Sequence, residues 1–205
     1  MSTTIIIIII TCITSYLAFQ DSSRKYKWMM NPYQIVHRKQ YGRLITSGFI
    51  HADWVHLIFN MLTLYFFGDI VEFYFNQVSQ YGTVLYIAMY VLGILVSDIP
   101  SLIKHKDNPN YNALGASGAV SAVVFSSILF NPLQELCLYG LLCLPGFIFG
   151  AIYVIYSYFS AKNQRDNIGH EAHLAGAAFG IIFTILLWPQ VISHFLNQMA
   201  DFSLF

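Results

Sequence analysis

Long uncharged stretches alternate with short polar ones along this chain. Residues 2–20, 73–97, 108–134, 136–161 and 172–200 contain no Asp, Glu, Lys or Arg, and a shorter uncharged run, 54–68, lies between Asp53 and Asp69. A helix that crosses a bilayer needs about 20 mostly apolar residues. The pattern therefore predicts six spanning helices, at roughly 3–20, 54–75, 81–98, 114–130, 136–158 and 172–196. The breaks carry their own signals. Asn76 to Gly82 is a polar turn, Asp98 to Tyr111 contains Pro100 and Pro109, and Lys162 to Gly169 is polar. Pro132 disfavours helix at Asn131. Segment 21–53 mixes Arg24, Lys25, Lys27, Arg38, Lys39 and Arg43 with Trp28, Met29, Met30, Tyr33 and Tyr41. That composition suits a loop lying in the membrane interface.

Composition supports the membrane reading. Of 205 residues 57% are hydrophobic and 10% charged, against ~25% charged in soluble domains. The apolar content excludes a disordered chain. Ten Lys and Arg balance ten Asp and Glu, so no basic patch points to nucleic acid. The fold class expected is all-α: a polytopic membrane protein, one domain over 1–205, with nothing beyond the six helices at either end. The first helix, with isoleucine at 5–10, lacks the basic leader and small-residue cleavage site of a signal peptide and is expected to be retained. Cys12, Cys137 and Cys143 all fall within predicted helices, where small apolar packing is the expected role.

Polar groups inside hydrocarbon are costly and often functional. Three clusters qualify. In the first, His56 and Asn60 share a face of the second helix at i, i+4, with His51 near the water boundary before them. The second, Gly115-Ala116-Ser117-Gly118, follows a loop and opens the fourth helix. Helix N-termini present unpaired N–H groups and a positive dipole end, which suit an oxyanion. In the third, His173, Gly176 and Gly180 form one stripe of the last helix. The glycines let another helix approach just beneath His173, with the Gly118 end of the fourth helix as the expected partner. A serine needs a base to become a nucleophile, and histidine has a suitable pKa. Asp166 and Glu171, close to His173 in sequence, are expected to be solvated charges. His170-Glu171-Ala172-His173 does not meet the zinc-protease pattern His-Glu-x-x-His, so no metal is expected.

Together these pieces resemble the rhomboid family of intramembrane serine proteases. The resemblance runs through Arg43-Leu-Ile-Thr-Ser-Gly-Phe-Ile-His51, His56-x-x-x-Asn60-Met61, Gly68 to Glu72, Gly115-Ala116-Ser117-Gly118 and Ala172-His173-x-x-Gly176-x-x-x-Gly180. It implies a six-helix rhomboid-like bundle with Ser117 as nucleophile and His173 as general base. His56, Asn60 and the Ser117 backbone N–H would stabilise the oxyanion, with Gly115 in the same loop and His51 helping to hold a hydrated cavity. Gly118, Gly176 and Gly180 would be packing residues. The reaction implied is hydrolysis of a peptide bond in or near a transmembrane segment of a membrane-protein substrate, with no metal or organic cofactor. Two departures stand out. Gly42-Arg43 replaces the Trp-Arg of many members. Ser121 occupies the place where some bacterial members carry a tyrosine stacked on the catalytic histidine, which leaves the orientation of His173 unexplained.

Charge and resemblance disagree on orientation. All ten Lys and Arg lie in the loops after the first, third and fifth helices, the side on which Ser117 and His173 open. The positive-inside rule puts those loops in the cytoplasm, whereas the resemblance to bacterial members implies an outward-opening site. The expected location follows the resemblance: a bacterial plasma membrane, with the site facing outward. The alternative function is a catalytically inactive rhomboid-like binder of transmembrane helices.

Overall fold

The computed structural model describes residues 1–138, 142–163, 169–200 and 202. Helix α1 (Thr3–Gln20) leads into three short helices, α2 (Ser22–Trp28), α3 (Pro32–Arg38) and α4 (Arg43–Thr46), followed by a 3-10 turn at Ser47–Phe49. Then come α5 (Trp54–Val78), α6 (Gly82–His105) and α7 (Ser117–Phe130), a hairpin of β1 (Glu135–Leu138) and β2 (Leu142–Pro145), α8 (Gly146–Asn163), α9 (His170–Leu187) and α10 (Val191–Ala200). Among the described residues four helices, α1, α5, α6 and α9, are long and apolar enough to span a membrane. With α7 and α8 they make a helical bundle in which α7 is central.

Asp53 caps α5 by accepting from the His56 N–H at 2.8 Å, and Ser2 caps α1 through the Ile5 N–H. Glu72 accepts from Thr3 Oγ1 at 2.6 Å and from the Thr3 N–H at 3.2 Å, an anion at the positive end of α1. Thr4 and Tyr86 join their hydroxyls across α1 and α6 at 3.0 Å, above Gly68 of α5, where any side chain would strike both. The central crossing is made by small residues. A Cβ on Gly176 would collide with the Gly118 carbonyl, and one on Gly180 with the Ala122 backbone. The backbones of α7 and α9 are thus in contact, as small residues allow in membrane bundles. Ser126 and Thr184 hydrogen-bond across the same seam at 2.7 Å.

The structure corrects several expectations. The run 136–158 is not one helix. Its first part forms the antiparallel hairpin, with Leu136 opposite Leu144 and Cys137 opposite Cys143, and helix begins only at Gly146. A short apolar run bounded by Pro and Gly suits a strand as well as a helix. Cys143 is disulfide-bonded, so apolar packing does not describe it, while Cys12 is free. The run 172–196 begins earlier, at His170, and breaks at Trp188, where Pro189 excludes helical backbone before it; α10 follows as a separate helix. Helix α6 continues past the expected end at 98 to His105, with Pro100 inside it and Asp98 within the helix. Helix α7 starts at Ser117, not at 114. Segment 21–53, expected as an interfacial loop, contains α2 to α4, too short to span.

Candidate active site

Helix α7 has 14 residues, so it is about 21 Å long at 1.5 Å per residue, against a hydrocarbon thickness of ~30 Å. Its first residue, Ser117, follows directly on an irregular loop. Other parts of the protein satisfy the backbone of that loop. Met30 and Ala113 exchange both backbone hydrogen bonds at 2.9 Å. The Gly115 N–H donates to the Ser47 carbonyl at 2.9 Å, and the Asn31 amide donates to the Pro109 carbonyl and to Asn112 Oδ1. Segment 21–53 is thus the anchor that carries the loop down into the bundle.

Gly115 adopts φ +124°, a conformation side chains rarely take. A Cβ there would sit 2.6 Å from His56 Cε1 and 2.9 Å from its Nε2. The glycine lets the His56 ring lie directly against the loop that presents Ser117. Asn60, one turn along α5, donates to the His56 carbonyl at 2.9 Å, and its amide carries a second N–H.

Ser117 and His173 meet at the mouth of the α7–α9 seam: His173 Nε2 and Ser117 Oγ are 2.8 Å apart. The closeness follows from the glycines, since Gly176 lies three residues after His173 and touches Gly118, the neighbour of Ser117. A Cβ on Gly118 would strike Ser97 of α6 as well. Gly118, Gly176 and Gly180 all lie where one helix backbone presses on another.

His51 bridges the loop before Ser117 and α1. It is fully buried. Its Nε2 accepts from the Ala116 N–H at 3.4 Å, and its Nδ1 lies 2.9 Å from Ser15 Oγ on α1. Ser15 in turn donates to the Phe49 carbonyl at 3.3 Å. One chain of bonds therefore runs from the backbone beside the nucleophile to α1, with the His51 proton on Nδ1. Burial pushes the His51 imidazole down to about 3, assisted by His56 nearby, so it stays neutral and keeps that tautomer. The His51 and His56 rings meet edge to face, 4.9 Å apart.

Sequence reasoning missed Ser15 and Tyr153. The Tyr153 ring, on α8, stacks near His173 with centroids 6.0 Å apart and planes at 25°, and its hydroxyl is 2.8 Å from Ser121 Oγ. His170 is a second ring neighbour of His173, edge to face at 5.9 Å. Glu171 pairs with Lys104 at 2.7 Å in a half-exposed position, as a surface charge should; Asp166 lies outside the described residues. Among the described residues no group of three or more His, Cys, Asp or Glu is arranged to hold a metal.

Apolar helices long enough to cross a membrane, with a serine and a histidine in hydrogen-bond contact inside the bundle they form, define a polytopic membrane protein. Residues 38–190 match the Rhomboid domain model, and the chain belongs to the rhomboid family. It is 30% identical over 175 residues to RHOMBOID-like protein 12, mitochondrial, of Arabidopsis thaliana, covering 76% of this chain and 50% of that protein. It is 27% identical over 160 residues to Rhomboid-like protein 11, chloroplastic, of the same plant (71% and 52% covered). Presenilin-associated rhomboid-like protein A, mitochondrial, of Danio rerio is 27% identical over 144 residues (67% and 35%). The chain thus spans about half the length, or less, of these relatives. Their names place them in mitochondria or a chloroplast, which gives no support to the bacterial plasma membrane expected above. The chain is an integral membrane protein of this family.

Proposed function

We propose that the chain is an intramembrane serine endopeptidase that cleaves a peptide bond in or near the transmembrane segment of a membrane-protein substrate. The observation that carries this reading is the 2.8 Å contact between His173 Nε2 and Ser117 Oγ, made at the N-terminus of α7. His173 accepts the Ser117 proton as Oγ attacks the scissile carbonyl carbon, then gives it to the leaving amine. Water, deprotonated by the same histidine, releases the acyl group and regenerates Ser117. The oxyanion is met by the Ser117 backbone N–H, one of the orphan donors of α7, and by His56 and the second N–H of Asn60. Fixed donors aimed at developing charge are worth ~3–4 kcal/mol each in such sites. Gly115 supports this arrangement by letting His56 close on the loop.

The test uses purified protein in detergent, mixed with a single-span substrate carrying a helix-breaking cut region, and separately with a fluorophosphonate probe. Ser117→Ala and His173→Ala are expected to lower cleavage by at least about a thousandfold, with no effect of a chelator on wild type. Labelling is expected on Ser117 alone. Undiminished cleavage by Ser117→Ala overturns the reading; a folded wild type that neither cleaves nor labels establishes the non-catalytic binder instead.

A further inference from the structure

We propose that Tyr153 is a positioning residue for His173, holding its imidazole from α8 so that Nε2 faces Ser117. This rests on the dyad reading above. The contacts close a loop through three helices. Ser117 on α7 meets His173 on α9 at 2.8 Å, His173 stacks with Tyr153 on α8, and the Tyr153 hydroxyl returns to α7 at Ser121, 2.8 Å away. Ser121 lies one turn after Ser117, so nucleophile and base are both referenced to the same helix.

Contacts on the faces of an imidazole help to set its plane alongside the hydrogen bonds at its edge. Tyr153 covers one face with a near-parallel ring, within the 4.5–7 Å range of favourable aromatic pairs, and His170 meets it edge-on from another direction at 5.9 Å. Tyr153 is itself constrained. Phe125 of α7 lies 5.7 Å from it, ring centre to ring centre, and the hydroxyl bond to Ser121 fixes its reach. One turn earlier, Gly150 brings α8 close to α7: a Cβ there would be 3.1 Å from Ile128 Cδ1 and 3.4 Å from Phe125 Cε1. A side chain on the outer helix can then set the angle of a base on the inner one, and Ser121, which is too small to stack, takes part as the anchor.

The experiment compares flat and non-flat side chains of similar bulk. Tyr153→Phe keeps the ring and loses the Ser121 bond; Tyr153→Met fills similar space without a plane. Tyr153→Phe is expected to retain kcat within about threefold. Tyr153→Met is expected to lose on the order of 10–100-fold in kcat, the scale of a small misalignment of reacting groups, with KM within about twofold and an unchanged melting temperature. Fluorophosphonate labelling of Ser117 slows in parallel. Should Tyr153→Met fail to fold, Tyr153→His against Tyr153→Gln repeats the comparison with polar side chains. Equal rates for ring and non-ring variants overturn the proposal, as does a rate loss that tracks melting temperature across the series. If Ser117→Ala still labels or cleaves like wild type, the dyad itself has failed, and that outcome is distinct from a Ser117-dependent enzyme indifferent to position 153.

Discussion

Helices α7 and α8 follow one another in the chain, and both border the Ser117–His173 pair, yet they are built in opposite ways. In α7, 12 of 14 residues are buried, among them Gly118, Ala119, Ser121, Ala122, Ser126 and Ser127. In α8, only Gly146, Gly150 and Ser157 of 18 residues are buried, while Ile152, Ile155, Tyr156, Tyr158 and Phe159 are exposed. Lipid offers no hydrophobic penalty for large exposed apolar groups, so a peripheral helix can carry them. A central helix must instead let several backbones approach, which selects Gly, Ala and Ser. The difference explains where the parts of the site are placed. Ser117 is on the more buried helix, and the ring that faces His173 is on the more exposed one.

The comparison breaks first at the α7–α9 seam. Gly176→Val would drive side-chain carbons into the Gly118 carbonyl, and a backbone atom cannot swing aside as a side chain can. The helices must separate, which also opens the Ser126–Thr184 bond and parts His173 from Ser117. A loss of more than about 4 kcal/mol is expected, in the range of severe core disruption. It would be read as loss of the monodisperse folded species in size-exclusion chromatography and a collapse of the melting transition.

A smaller effect is expected where the nucleophile loop is tied to α1. His51 takes up protons in the unfolded chain near 6.5 but not in the folded one until about 3. Below pH 6.5 the unfolded state therefore binds more protons, and stability falls as pH falls. The slope from this residue is at most about 1.4 kcal/mol per pH unit. Melting temperature in detergent should drop between pH 6.5 and 4.5, and His51→Asn should flatten the drop while lowering stability at pH 7. An identical slope in the variant would remove His51 as its source.

These tests separate what the sequence made legible from what it did not. Helix α1 could be read from apolar length alone, whereas α5 required its uncharged run 54–68 to be carried on past Asp69 and Glu72. That Ser117 and His173 would lie close together was legible because each lies beside glycines in a local pattern. The hairpin was not: residues 136–145 are as apolar as a helix, and periodicity does not distinguish helix from strand over so short a run. The break at Trp188 was signalled by Pro189 yet concealed by apolar residues on both sides. Pro100 carried the opposite signal and was overridden, since neighbouring helices can satisfy the carbonyl that a proline frees. Ser15 and Tyr153 had no local signature. Ser15 meets His51 across 36 residues, and the Tyr153 hydroxyl meets Ser121 across 32, so only the packing of α1 and α8 reveals them.

The smallest expected effect sharpens the same comparison. Gly150 is the counterpart in α8 of Gly176 in α9: each is a buried glycine facing α7. At Gly150, however, an added Cβ meets the ends of side chains, Ile128 Cδ1 at 3.1 Å and Phe125 Cε1 at 3.4 Å. An isoleucine terminus can shift by a few tenths of an ångström, and alanine removes the entropic penalty that glycine carries in a helix, about 0.5–1 kcal/mol. The two contributions oppose each other, so Gly150→Ala should change stability by less than about 0.5 kcal/mol. Activity is the more sensitive readout. Any outward displacement of α8 carries Tyr153 with it, so a loss of kcat at unchanged melting temperature would tie the peripheral helix to the central pair, while unchanged kcat would mean that Phe125 and Ile128 absorb the methyl group.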